Sequence, residues 1–261
     1  MRVDSGSISD VGRKRKSNED NYCANDEEGL YLVADGMGGH AAGEVASELV
    51  TEAIEEFIKL TSSDADITWP FGLDEGLTLS GNRLKTAIRF ANRKLLERIK
   101  ESAECEGMAT TVAAVLVEED KAHIAHVGDS RVYLVRDGNI RLLTSDHSWV
   151  NEQVMSGLID SEQARTHPLR NVVTRALGGK EGLEVDMQVL ELKDGDLLLL
   201  CSDGLTSMME DVEILEVVKA GGHEVNVVAR QLVEAANSAG GEDNITTIAL
   251  SFRDNQDEAA S

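Results

Sequence analysis

The chain has 261 residues, 41% of them hydrophobic and 3% aromatic, with a formal net charge of −23. That length and apolar fraction exclude a disordered chain and call for a core resting on Leu, Val, Ile and Ala. The charge excludes nucleic acid as a partner, because no basic surplus is there to neutralise phosphates, and it disfavours anionic membrane surfaces. A basic protein segment remains a compatible partner. Three widely spaced cysteines, Cys23, Cys105 and Cys201, give no disulfide framework and no zinc pair. The start, Met1 to Gly6, has no apolar signal core, and no apolar run is long enough to span a bilayer. The expected location is the cytoplasm.

In chain order, a polar start gives way to a buried strand at Gly29–Ala34. A tight loop, Asp35–His40, leads into a helix over about 41–60, with Val45, Leu49, Ile54, Phe57 and Ile58 at helical spacing. Residues 61–79 read as a loop or insertion. A second helix covers about 82–100, with Leu84, Ala87, Ile88, Ala91, Leu95 and Ile99 inward. The period then shortens to that of strands: 111–117, 122–127, and 131–135 with 139–143 around the hairpin signal Asp137-Gly138. The stretch 145–177 is polar and irregular, with one short helix marked by Val150, Val154, Leu158 and Ile159. Strands are expected at 183–192 and 196–201, helices at 212–220 and 224–238, and a last strand at 245–252. Helices come in pairs and strands in runs, so the class is α+β with largely antiparallel sheets. No linker splits the chain, which reads as a single domain over 1–253 followed by a polar tail, 254–261.

Several acidic residues stand where an apolar run breaks off: Glu19 and Asp20, Asp35 after Tyr31–Ala34, Asp129 after Val127-Gly128, Asp203 after Leu199–Ser202, and Asp243 before Asn244. An ionised carboxylate at the edge of a core is costly unless a cation compensates it. Lys and Arg are scarce beside most of these positions, and divalent ions with oxygen ligands are the natural partner. Gly36-Met37-Gly38-Gly39-His40-Ala41 satisfies a dinucleotide-loop pattern, but Asp35 would repel a pyrophosphate and no second strand follows the helix. Arg15, five residues before Asp20, can clamp phosphate oxygens with two parallel hydrogen bonds. Arg13, Lys14 and Lys16 read as a solvated patch. Thr110 and Thr111 read as strand packing, and Asn244 as a steadying group for the loop carrying Asp243.

Arg15 with Asn18-Glu19-Asp20, Asp35-Gly36-Met37-Gly38-Gly39, Gly128-Asp129-Ser130-Arg131, Ser202-Asp203-Gly204 and Glu242-Asp243-Asn244 together resemble the ordered motif set of the metal-dependent protein phosphatases, the type 2C family. The likeness runs from about Asp4 to Phe252, and 35–47 is especially similar to bacterial members. It implies a four-layer α/β/β/α sandwich, with two central antiparallel sheets flanked by helices. It implies two core Mn²⁺ or Mg²⁺ ions and a weaker third. Asp35 would bridge the two, the Gly36 carbonyl would bind one, Asp203 and Asp243 would hold the first, and Glu19 would act on the second. Asp20 would orient metal-bound water, Asp129 would take the third ion with help from Asp203, and Arg15 would clamp phosphate. Residues 145–177 would form the family's flap.

The implied activity is hydrolysis of phosphoserine and phosphothreonine in proteins, plausible substrates being serine/threonine kinases and their targets, by a monomeric enzyme. A regulator-specific phosphoserine phosphatase of a partner-switching pathway is the alternative. An inactive phosphoprotein-binding module ranks lower, because no metal-ligand position is lost. Relatives outside the bacteria often carry His directly after Asp-Gly as general acid. Met37 stands there in this chain, which leaves metal-bound water as the acid, with His40 second.

Overall fold

The computed structural model describes residues 1–38, 42–62 and 70–254. Two antiparallel sheets form the centre. The first contains β1 (Arg2–Asp10), β7 (Arg131–Arg136), β8 (Asn139–Leu142), β10 (Leu197–Cys201) and β11 (Ile245–Arg253), in the order β1-β11-β10-β7-β8. The second runs β2-β3-β5-β6-β9, from β2 (Asp20–Asn25), β3 (Leu30–Met37), β5 (Val112–Glu118), β6 (Lys121–Val127) and β9 (Asp186–Glu191). A two-residue strand, β4 (Ala109–Thr110), pairs with the end of β3. Helices α1 (Ala42–Ser62) and α2 (Leu79–Glu101) cover the second sheet. The first is covered by α6 (Asp211–Gly221) and α7 (Val225–Ala239), with the single turn α5 (Asp203–Thr206) at its edge. The four-layer α+β sandwich implied by the motifs is the observed architecture.

The strand period of two sorts each buried strand onto two cores. On β3, Leu30, Leu32 and Ala34 face α1 and α2, while Tyr31 and Val33 face the opposite sheet. On β10, Leu197, Leu199 and Cys201 face α6 and α7, while Leu198 and Leu200 meet the second sheet. Burial on both faces is why these strands read as continuous apolar runs. The α1 stripe lies one residue further round than expected: Ala46, Val50, Ala53, Ile54 and Ile58 are buried, and Val45, Leu49 and Phe57 flank them. Small Ala46 and Ala53 carry little apolar weight in a sequence reading, yet they let the helix approach the sheet.

Besides the two-residue β4, two longer strands were not expected. Nine-residue β1 pairs along its whole length with β11, and β2 pairs with β3. Both lie at sheet edges and are mostly half-buried, so neither carries an apolar run. Helix α2 starts at Leu79 rather than Asn82, because Thr78 caps it by accepting a hydrogen bond from the Gly81 N–H. The 61–79 loop is therefore shorter: Thr61 and Ser62 belong to α1, and 63–69 lie outside the described residues. Between β8 and β9 there are two short helices, α3 (Trp149–Met155) and α4 (Ser161–Thr166), where one was expected. A capping box at Asp160 and Gln163 starts α4.

Candidate active site

The acidic positions converge at one end of the sandwich, where β2, β3, β10 and β11 begin or end. Asp20 opens β2 and is the direct cross-strand partner of Asp35 on β3. Like charges opposite each other destabilise a sheet unless something compensates. Asp203 opens α5 immediately after β10, and Asp243 precedes β11. Asp129 lies in the β6–β7 turn and is buried. Gly36 is required by close approach: a Cβ there would fall on the Gly43 carbonyl oxygen and the Glu19 carbonyl. This brings the start of α1 against Glu19, just before β2, and Ser47 on that helix donates to the Glu19 carbonyl at 2.6 Å.

The carboxylates raise one another's proton affinity. Burial first, then Asp20, Asp203, Asp129 and Asp243, hold Asp35 well above the ordinary carboxylate range. Asp20 is pushed up to about 7, by burial and then by Asp203 and Asp243, against the hydroxyls of Thr246 and Ser202. Asp129 is pushed up to about 8 by burial, Asp203 and Asp146, and Asp203 to about 6 by burial and Asp243. Glu19 is raised too, chiefly by burial. The cation in direct contact is Arg15, whose Nη2 donates to Asp243 Oδ2 at 2.7 Å. Its side chain is 52% exposed, so it sits on the rim with N–H groups turned to solvent. One guanidinium does not balance this many carboxylates. Among the described residues Asp20 Oδ1 is buried with no hydrogen-bond partner. A cluster of oxygen donors with an orphaned carboxylate oxygen and a strong drive to take up positive charge fits hard divalent ions.

Neutral side chains hold the cluster in place. Thr110 and Thr111, read from the sequence as packing, are tied to Asp35: the Asp35 N–H donates to Thr111 Oγ1 at 3.1 Å, and Thr110 Oγ1 and the Thr111 N–H donate to its carbonyl at 2.9 Å each. Thr111 Oγ1 also meets Ser130 Oγ at 2.6 Å, joining Asp35 to the Asp129 turn. Gly128 in that turn has φ +108°, and a Cβ would collide with Thr111. Asn244 does more than steady Asp243. Its Oδ1 accepts from the Glu19 N–H at 2.8 Å, and its Nδ2 donates to the carbonyls of Val11 and Ser17 at 3.0 and 2.9 Å. The signal for these residues was Thr, Ser or Asn interrupting an apolar run beside an acidic motif.

His40 lies outside the described residues. His126 and His147 stack at 4.8 Å, and with Asp186 they place ligand-capable atoms within 4.8 Å of one another. Hydrogen bonding decides against an ion there. His147 Nδ1 accepts from the Gly128 N–H at 3.0 Å, so the proton of the neutral ring sits on Nε2, facing Asp186 Oδ2 at 3.3 Å. Burial, followed by His126 and Arg175, lowers the His147 pKa and keeps the ring neutral. Arg175 already occupies Asp186 at 2.6 Å. The group braces the Gly128 turn to the 145–177 segment, as does the Arg131–Asp146 pair at 2.7 Å. A groove of about 710 Å³ runs from Asp129 and Asp203 past Val150, Val154 and Arg165 to Asp211.

The sequence matches the Protein phosphatase 2C profile over residues 12–240. The chain belongs to the protein phosphatase 2C family. It is 38% identical over 246 residues to the serine/threonine phosphatase stp of Listeria monocytogenes, covering 92% of each chain. The crystal structure of the Mycobacterium tuberculosis serine/threonine phosphatase PstP/Ppp superposes with a TM-score of 0.85 at 36% identity, covering 97% of this chain and 99% of that one. The catalytic domain of PstP in complex with two manganese ions gives 0.82 at 35% identity, with the same coverage. Among the described residues no helix is long and apolar enough to cross a membrane.

Proposed function

We propose that this protein is a metal-dependent protein serine/threonine phosphatase that hydrolyses phosphoserine and phosphothreonine with water as the nucleophile. The observation that carries the reading is the convergence of Asp20, Asp35, Asp129, Asp203 and Asp243 on one another, with Arg15 the cation in contact at their rim. Family membership and the named phosphatase relatives support it. Two Mn²⁺ or Mg²⁺ ions, when bound, lower the pKa of water and neutralise charge on the phosphoryl oxygens.

The motif resemblance and the convergence of these side chains support the following residue roles. Asp35, central to the cluster, would be held in common by both ions, with the Gly36 carbonyl as a further ligand. Asp203 and Asp243 would hold one ion, Glu19 would serve the other, and Asp129 with Asp203 would take a weaker third. The free Oδ1 of Asp20 accepts a proton from the attacking water and sets its direction. Arg15 presents N–H groups to the phosphate from the rim and balances charge in the transition state. Met37, next after Gly36, has no proton to give. That leaves water at the cluster as the acid for the departing alkoxide, with His40 the alternative from the sequence.

The groove beside Asp129 and Asp203 accommodates the chain flanking the phosphoresidue, and 145–177 forms its movable wall. We take 1–253 as one catalytic domain, acting as a cytoplasmic monomer on kinases or their targets. Mn²⁺-dependent hydrolysis of p-nitrophenyl phosphate and of phosphothreonine peptides tests the reading. Phosphopeptide binding without turnover at saturating Mn²⁺ would convert it to that of an inactive binding module.

A further inference from the structure

Asp20 is held through a directional set of three hydroxyls and one amide drawn from four separate segments. Thr246 Oγ1 on β11 donates to Asp20 Oδ2 at 2.6 Å, and Ser202 Oγ donates to the same oxygen at 2.7 Å. A hydroxyl has one proton, so with its own committed to Asp20, Thr246 must accept from Ser9 Oγ, 2.7 Å away on β1. Ser9 in turn accepts from Asn18 Nδ2 at 2.7 Å. Every proton therefore points the same way, from Asn18 through Ser9 and Thr246 to Asp20. Ser202 accepts the Thr246 N–H at 3.0 Å, which locks the second donor to the first.

Two further features mark this arrangement as more than incidental polar pairing. Ser202 is the N-cap of α5 but makes no capping hydrogen bond, because its hydroxyl is turned to Asp20 instead. Ser9 and Thr246 face each other in the β1–β11 register, and Thr246 is fully buried in a strand otherwise sequestered from water. Among the described residues all the donation goes to Oδ2, leaving Oδ1 buried and without a hydrogen-bond partner. The carboxylate is thus fixed by one oxygen and offered by the other.

We propose that Thr246 and Ser202, backed by Ser9 and Asn18, are positioning residues that hold Asp20 by Oδ2 and so direct Oδ1 into the ion cluster. The proposal rests on the reading of Asp20 as a site carboxylate. Groups that orient a ligating or water-directing carboxylate typically change metal affinity or turnover by about 10–100-fold when removed. The test measures Mn²⁺ affinity by calorimetry and kcat and KM on a phosphothreonine peptide for Thr246→Val, Thr246→Ser, Ser202→Ala and Asp20→Asn. Valine keeps the volume and removes the donor, whereas serine keeps the donor and removes a methyl.

Thr246→Val and Ser202→Ala are expected to lower Mn²⁺ affinity or kcat by roughly 10–100-fold with KM little changed, and Thr246→Ser to recover to within about threefold of the parent. Should Thr246→Val not fold, Ser202→Ala carries the same comparison. Parent-like affinity and kcat in the clamp variants, with both lost in Asp20→Asn, would overturn the clamp and spare Asp20. So would a loss in Thr246→Val that serine does not recover, since the methyl would then be the cause. Parent-like behaviour of Asp20→Asn would remove Asp20 from the site and the clamp with it.

Discussion

Replacing Asp129 by asparagine in the metal-free protein should make it more stable, by an amount that depends on pH. The side chain is 8% exposed, and its carboxyl is held near 8 by burial and by the charges of Asp203 and Asp146. In the unfolded chain it titrates at its ordinary value, near 3.8. Between those two values the native protein keeps a proton that the unfolded chain has released. Stability therefore falls as pH rises from about 4 to about 8, the opposite sign to a salt-bridged aspartate. The slope for one proton is about 1.4 kcal/mol per pH unit, so the burden reaches roughly 4 kcal/mol at pH 7. Asp203 shares that uptake, and about 2–4 kcal/mol is Asp129's own part. Asparagine cannot ionise. At 2–4 °C per kcal/mol, Asp129→Asn should melt about 5–15 °C above the parent in EDTA at pH 7, and the two should converge near pH 4. Saturating Mn²⁺ should remove the parent's decline with pH, because the ion replaces the protons. Thermal unfolding followed by circular dichroism from pH 4 to 8 reads this directly. An offset that does not vary with pH, or a parent melting temperature flat from pH 5 to 8 in EDTA, would refute the reasoning.

Three further outcomes follow. Asp35→Asn should abolish turnover and weaken Mn²⁺ binding measured by calorimetry; near-normal turnover would count heavily against the bridging role. Arg15→Ala should mainly raise KM for phosphothreonine peptides, because phosphate clamping is partly ground-state binding, and an unchanged KM would take Arg15 out of the site. Asn244→Ala removes three hydrogen bonds of about 1 kcal/mol each at a buried position, leaving the Glu19 N–H and two carbonyls unserved. Its melting temperature should fall by about 6–12 °C, a loss absent from a control such as Asn139→Ala at the exposed start of β8.

The ease of reading each element tracked how much apolar surface it buries. Strands β3, β5 and β10, sealed on both faces, announced themselves as apolar runs, and their register then decided which residue met which core. Edge strands β1 and β2 gave no such sign. Their sequences, Arg-Val-Asp-Ser-Gly-Ser-Ile-Ser-Asp and Asp-Asn-Tyr-Cys-Ala-Asn, become strands because β11 and β3 offer unpaired backbone groups, a long-range condition that local pattern does not encode. The same holds for Thr110 and Thr111. Their hydroxyls look like ordinary strand polarity until Asp35, some 75 residues earlier in the chain, is brought against them.

By itself the sequence singled out the acidic positions that the fold brings together. A carboxylate at the end of an apolar run has to be compensated, and that requirement is local enough to be visible in a single motif. Which oxygen of Asp20 is restrained and which is left free was decided only by tertiary structure. Hydrogen bonds are directional and short, and the donors that fix Asp20 arrive from β1, β11 and the start of α5. Only the packed sandwich sets those segments within 3 Å of one another.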